Sequence, residues 1–77
     1  MDVDLKAILE HVERKYRLRL PSRVIMADYD PREGDLYVRF READLTEGEP
    51  TSDGLVLLHY DRQKRLAAVE ILDITAL

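Results

Sequence analysis

Two rhythms of apolar residues run along this chain. The first is helical: Leu5, Ile8, Leu9, Val12 and Tyr16 recur at intervals of 3, 1, 3 and 4, which places them on one stripe of an α-helix over residues 4–17. Lys6, Glu10, Glu13, Arg14 and Arg17 fall largely off that stripe. Asp2 or Asp4 suits the N-cap, and Arg14, Lys15 and Arg17 suit the negative end of the helix dipole. Pro21 disfavours helical geometry at Leu20, so the helix should stop before it.

The second rhythm is that of strands, and it occurs twice. Residues 24–30 (Val-Ile-Met-Ala-Asp-Tyr-Asp) turn through Pro31 to Asp35 into Leu36-Tyr37-Val38-Arg39-Phe40. Residues 55–61 (Leu-Val-Leu-Leu-His-Tyr-Asp) turn through Arg62 to Arg65 into residues 66–72. Each pair reads as a β-hairpin. In the first turn Asp30, Pro31 and Gly34 are the residue types a tight turn requires. Residues 42–54, acidic and broken by Gly48, Pro50 and Gly54, read as a mobile loop with room for a short strand at Ala43 to Thr46. The expected fold is α+β: one N-terminal helix packed on a four-stranded antiparallel sheet built of two β-hairpins. Residues 1–77 form a single domain, with 1–23 a helical extension and 24–77 the hairpin pair.

Strand 36–41 alternates apolar and polar residues, whereas Leu55 to Leu58 is apolar throughout and Leu66 to Val69 nearly so. A strand apolar on both sides is covered on both sides. One helix covers one face, so the other face calls for a partner, and a second copy of the chain is the simplest candidate. The residues expected to make that contact are Val56, Leu58, Val69 and Ile71, with further apolar surface from residues 71–77.

Size points the same way. A domain of 77 residues buries only about 60% of its unfolded surface, and small scaffolds usually add disulfides, metal or oligomerisation. Cysteine is absent, which removes disulfides and fits a reducing compartment. Only His11 and His59 offer nitrogen ligands, so no structural metal and no cofactor is expected. Oligomerisation is left. Charged residues make up 36% of the chain, Asn is absent and Gln63 is the only glutamine, a bias resembling heat-adapted proteins. No apolar run approaches the roughly 20 residues of a membrane span, and the opening Met-Asp-Val-Asp lacks a basic leader, so a cytoplasmic protein is expected.

Charge is unevenly spread. Residues 1–41 carry 9 Lys/Arg against 8 Asp/Glu, and residues 42–77 carry 3 against 8, within a net charge of −4. That balance argues against nucleic-acid binding. The exception is the basic stretch Arg14, Lys15, Arg17, Arg19 and Arg23, which Arg39 and Arg41 would extend if they did not pair with neighbouring acids. Solvated charge near a helix end accounts for it as well, and Tyr16 lies on the apolar stripe rather than on a base-stacking platform.

Other candidate chemistry is sparse. Asp28, Asp30, Glu33 and Asp35 crowd the first turn, but an EF-hand count from Asp28 puts Arg32 at position 5 and Glu33 where glycine belongs, so they read as turn-forming acids. His59 has a pKa suited to acid–base work, yet Ser22 and Ser52 lie at turns and no phosphate loop exists to accompany it. Glu70 and Asp73, or Glu47 and Glu49, would need a shared cleft to act as a carboxylate pair.

With the hairpins in place, an ordered set of short motifs resembles a small prokaryotic family known as domain of unknown function 2283. The set is Asp28-Tyr29-Asp30-Pro31, Gly34-Asp35-Leu36-Tyr37-Val38-Arg39-Phe40, Ser52-Asp53-Gly54-Leu55-Val56-Leu57, Tyr60-Asp61 and Val69-Glu70-Ile71-Leu72-Asp73. It spans residues 28–73. The resemblance implies a short β-rich protein without assigned activity, and an antitoxin-type partnership with a small toxin-like protein. The chain departs from the pattern in its helical extension and in its second turn, Arg62-Gln63-Lys64-Arg65, which lacks the family's glycine.

The expected role is therefore a non-enzymatic protein–protein interaction module, a homodimer or the partner of a second small protein. Two alternatives stand beside it: a nucleic-acid-linked regulator using Arg14 to Arg23, and a ligand binder or enzyme around His59 and Glu70.

Overall fold

The computed structural model describes residues 4–77. Asp2, one of the two expected caps, lies outside them. Helix α1 spans Leu5–Tyr16, and Asp4 caps it by accepting a hydrogen bond from the Ala7 N–H at 3.1 Å. The helix ends as Arg17 enters the left-handed region, with φ of 53°. The N–H groups of Arg17 and Leu18 both reach the Glu13 carbonyl, a Schellman-type closure formed without glycine.

Five strands follow: β1 (Met26–Asp30), β2 (Asp35–Arg39), β3 (Glu49–Pro50), β4 (Val56–Tyr60) and β5 (Leu66–Ile71). They form one antiparallel sheet in the order β1-β2-β5-β4-β3. The α+β architecture matches the sequence reading, while the count of four strands does not and the hairpin strands are shorter than read, β1 beginning at Met26 rather than Val24. The fifth strand comes from the segment read as loop, at Glu49–Pro50 rather than Ala43 to Thr46. Nothing in its composition announces it: it is held by main-chain pairing, Glu49 opposite Leu58 and Pro50 opposite Leu57. Pro is tolerated because β3 is an edge.

The register sorts the side chains. Leu36 lies opposite Ile71, Val38 opposite Val69, Val56 opposite Ile71 and Leu58 opposite Val69, so these residues share one inner face. Val12 of α1, Leu20 and Phe40 join Leu36, Val38, Val56, Val69 and Ile71 in a single buried core. Leu5, Ile8, Leu9 and Tyr16 of the helical stripe pack against it, as do Leu18, Val24, Ile74 and Leu77. The lid is thus more than one helix. The connection after α1 and the 3-10 turn Ile74–Ala76 also cover the inner face.

The outer face corrects the expectation of two apolar sides. It carries Met26, Asp28, Asp35, Tyr37, Arg39, Leu57, His59, Ala68 and Glu70. Ala68 is fully buried between its cross-strand neighbours Arg39 and His59. The long side chains of these neighbours cover a short apolar one. Pro50 stands across from Leu57, which is half-buried. An unbroken apolar run therefore does not mean an open apolar face here.

Two turns depend on acidic side chains. Asp61, buried although charged, accepts hydrogen bonds from the Gln63 and Arg65 N–H groups at 2.8 and 2.9 Å and from Arg65 Nε at 2.9 Å. The Arg65 N–H and the others hold its carboxyl below the usual carboxylate range. Asp53 accepts from Leu55 N–H, Thr51 Oγ1 and the Tyr16 hydroxyl, so its carboxyl is also held well below that range. The 2.8 Å bond from Tyr16 ties the end of α1 to the β3–β4 turn.

Candidate interaction surface

Val56, Leu58, Val69 and Ile71 do share a face, but it is the inner one. Val56, Val69 and Ile71 have no exposure at all, and Leu58 is packed against them. Their apolar area is consumed by the core, so the contact expected at these four residues is corrected: a partner would have to unfold the chain to reach them.

The exposed large hydrophobic residues, among those described, are Ile25, Met26 and Leu72, at 38%, 42% and 38%. Two of the three stand at β1. This strand pairs with β2 on one side and, among the described residues, has no strand on the other. Its free edge can be read from the hydrogen bonds of β2. The Arg39 carbonyl accepts from Ile25 N–H at 2.9 Å, toward β1, and Phe40 N–H donates to the Ala67 carbonyl at 2.7 Å, toward β5. Backbone groups alternate sides along a strand. Tyr37 and Arg39 therefore turn toward β1, and their opposites Asp28 and Met26 turn inward to meet them. Ala27 and Tyr29 are left with N–H and C=O groups directed away from the sheet. Ala27 is exposed and Tyr29 half-buried.

Beside this edge lies a groove of about 540 Å³ between α1 and the segment that leads into β1, lined by Leu5, Leu9, Leu20, Pro21 and Val24 with Glu10 and Glu13 at its margin. The connection turns back along α1 because Leu20 N–H donates to Glu13 Oε2 at 2.8 Å. Edge and groove form one continuous stretch of chain, Leu20 to Tyr29. Sequence reasoning passed over it because five residues with two acids resemble an ordinary surface strand.

His59 and Glu70 are brought to the same outer face. The rings of His59 and Tyr37 meet edge to face with centroids 6.3 Å apart. Gly48 lies so close to the imidazole that a Cβ there would stand 2.7 Å from His59 Cε1. Glu70 hydrogen-bonds Asp35 carboxyl to carboxyl, and that bond, burial and the Asp35 charge push its pKa up to about 7. All four residues, Asp35, Tyr37, His59 and Glu70, stand on the outer face of the sheet.

The remaining candidates are put to structural use. Asp73 caps the 3-10 turn, accepting from Thr75 N–H and Oγ1 at 3.0 and 2.6 Å, far in role from Glu70. Asp30 accepts from Arg32 N–H at 2.9 Å inside the first turn. Glu49 belongs to β3, and Glu47 is an exposed residue before it. In the basic stretch Lys15 meets Asp53 at 3.5 Å, while Arg14, Arg17, Arg19 and Arg23 are exposed. Among the described residues Arg39 meets no acid: it donates to the backbone carbonyls of Arg41 and Ala43, pinning the start of the 42–54 segment. Among the described residues no helix is long and apolar enough to cross a membrane.

Compared with known proteins, the chain matches no family, no curated protein and no solved structure.

Proposed function

We propose that this protein is a non-enzymatic protein–protein interaction module that binds a partner along the β1 edge. The observation that carries this reading is the pairing of directional and apolar features on one strand. Ala27 and Tyr29 present unpaired backbone donors and acceptors, and Ile25 and Met26 present exposed apolar side chains beside them. An unpaired edge recognises an extended segment through main-chain hydrogen bonds, with alternate side chains supplying selectivity. Small folds usually shield such an edge. The homodimer and the antitoxin-type partner of the family resemblance both fit this mode, and both would act in the cytoplasm.

Amide exchange and solution mass test the reading together. In complex with its partner, or as a concentrated self-associated sample, the protein should protect the Ala27 and Tyr29 amides, which exchange fast when it is isolated and dilute. Ile25→Asp with Met26→Asp should abolish that protection while leaving the fold intact. Protection that maps instead to the outer face at Tyr37, His59 and Glu70 would transfer the function to the ligand-binding alternative. That second reading draws on the gathering of Asp35, Glu70 and His59 on the outer sheet face, and predicts a small-molecule site with no preference for extended peptide.

A further inference from the structure

We infer that the segment completing the β1 edge is the β1 strand of a second copy, paired antiparallel about Ala27 so that the two sheets become one. This rests on the edge being an interaction surface and goes further by naming its occupant and register.

Three features of the strand select that occupant. The first is polarity along the edge. It begins at the exposed Arg23 and ends at the exposed Asp28 and Asp30. Antiparallel self-pairing sets the basic start of each strand against the acidic end of the other. Parallel pairing would put like ends together.

The second is register. A two-fold axis normal to the sheet keeps inner faces with inner faces only if a residue lies opposite itself, which leaves few choices. Centring on Asp28 sets its carboxylate against its own copy. Centring on Tyr29 sets Asp28 against Asp30 and brings Pro31, which has no N–H, opposite Ala27. Centring on Ala27 avoids both penalties. Met26 then faces Asp28 of the second copy on the outer side, and the exposed Ile25, in the bend just before β1, comes to the end of the ladder near Tyr29 of the second copy. Ala27 is also a residue whose N–H and C=O point out of the sheet, so the pair on the axis exchanges both hydrogen bonds.

The third is area. Five residues of ladder bury less than the roughly 1,200 Å² of a stable interface. The groove supplies more, because its apolar lining includes Val24, the chain neighbour of the exposed Ile25. In the Ala27 register the other copy's turn, beginning at Pro31, comes to this end of the edge.

The absence of cysteine makes the test direct. Single-cysteine variants can cross-link only to the same position of another copy, and opposed residues in a ladder bring Cα atoms to about 5.5 Å, within disulfide reach. Under mild oxidation Ala27→Cys should give a covalent dimer in high yield, and Asp30→Cys should give little. In sedimentation of the full chain from micromolar to millimolar concentration, the native protein should pass from monomer to dimer. Ala27→Pro should remain monomeric and folded, since the N–H it removes points away from β2. Met26→Lys should retain or tighten the dimer by facing Asp28 of the second copy, whereas Met26→Asp should dissociate it.

A native chain that is monomeric at every concentration overturns the inference. So does a dimer indifferent to Ala27→Pro, or one cross-linked better at Asp30 than at Ala27. If the monomeric chain still protects its Ala27 and Tyr29 amides on binding a different protein, the self-pairing fails while the edge-binding function stands. If no condition protects those amides, both fail.

Discussion

Lys64 stands with φ of 65° in the turn between β4 and β5, where a side chain crowds the following carbonyl. The turn persists because Asp61 supplies three hydrogen bonds to it and Asp61 N–H closes on the Arg65 carbonyl at 2.9 Å. Lys64→Gly relieves the left-handed strain and gives back part of the gain to the more flexible unfolded chain. The net expectation is a stabilisation of about 0.5–1 kcal/mol, read from urea unfolding midpoints at constant slope. Glu70 is the other residue whose local setting has a measurable outcome. Its folded pKa of about 7 lies above the ordinary value of 4.5, so the folded chain keeps a proton that the unfolded chain has released between them. Stability contributed by that group is present at low pH and is lost as pH rises through this window. Glu70→Gln keeps a donor for Asp35 without needing the proton. It should melt higher than the native chain at about pH 8 and show a flatter dependence between about pH 5 and pH 8. An unchanged slope would mean that Asp35 and Glu70 are not bonded.

At the scale of elements, α1 is fastened at its C-terminal end by a contact between distant parts of the chain. Tyr16 hydroxyl donates to Asp53, and Lys15 lies 5.5 Å from the Tyr16 ring centre while meeting the same carboxylate. Burial and the Asp53 bond raise the Tyr16 pKa, so the hydroxyl stays protonated in its role as donor. Tyr16→Phe should cost about 0.5–1.5 kcal/mol and should speed amide exchange at Leu55, whose N–H bonds the same carboxylate. The helix itself was legible because its stripe is periodic and its cap and Pro21 are local signals. The hairpins were legible for the same reason. What escaped was information that no periodicity carries. The β3 pairing depends on main-chain groups of Glu49 and Pro50. The union of the two hairpins depends on β2 meeting β5. The burial of Ala68 depends on where Arg39 and His59 lie. The apolar run of β4 was read as evidence for a second buried face. In the folded chain its Val56 and Leu58 feed the core, while Leu57 is met by Pro50 from the added strand. That Val56, Leu58, Val69 and Ile71 face inward, and that β1 keeps a free edge among the described residues, was visible only once each strand had a neighbour.

For the molecule as a whole, the sheet order predicts a gradient of local stability. Val38 and Val69 lie opposite each other at the seam between the hairpins, both without exposure and both within the buried core. Their neighbouring ladder amides should open only with global unfolding, while the two-residue strand β3 should open far more easily. Hydrogen exchange followed by NMR would show this as the slowest amides along β2 and β5 and the fastest ladder amides at Glu49. Equal protection across the sheet would contradict the assigned order. The same order has a consequence for biosynthesis. The strand at the middle of the sheet, β5, comes last among the strands in the chain. While the ribosome has delivered only the helix and the earlier strands, the β1–β2 ribbon and the β3–β4 ribbon have no template between them. A nascent chain halted before Leu66 should thus remain sensitive to protease, and compaction should await the emergence of the final apolar segment.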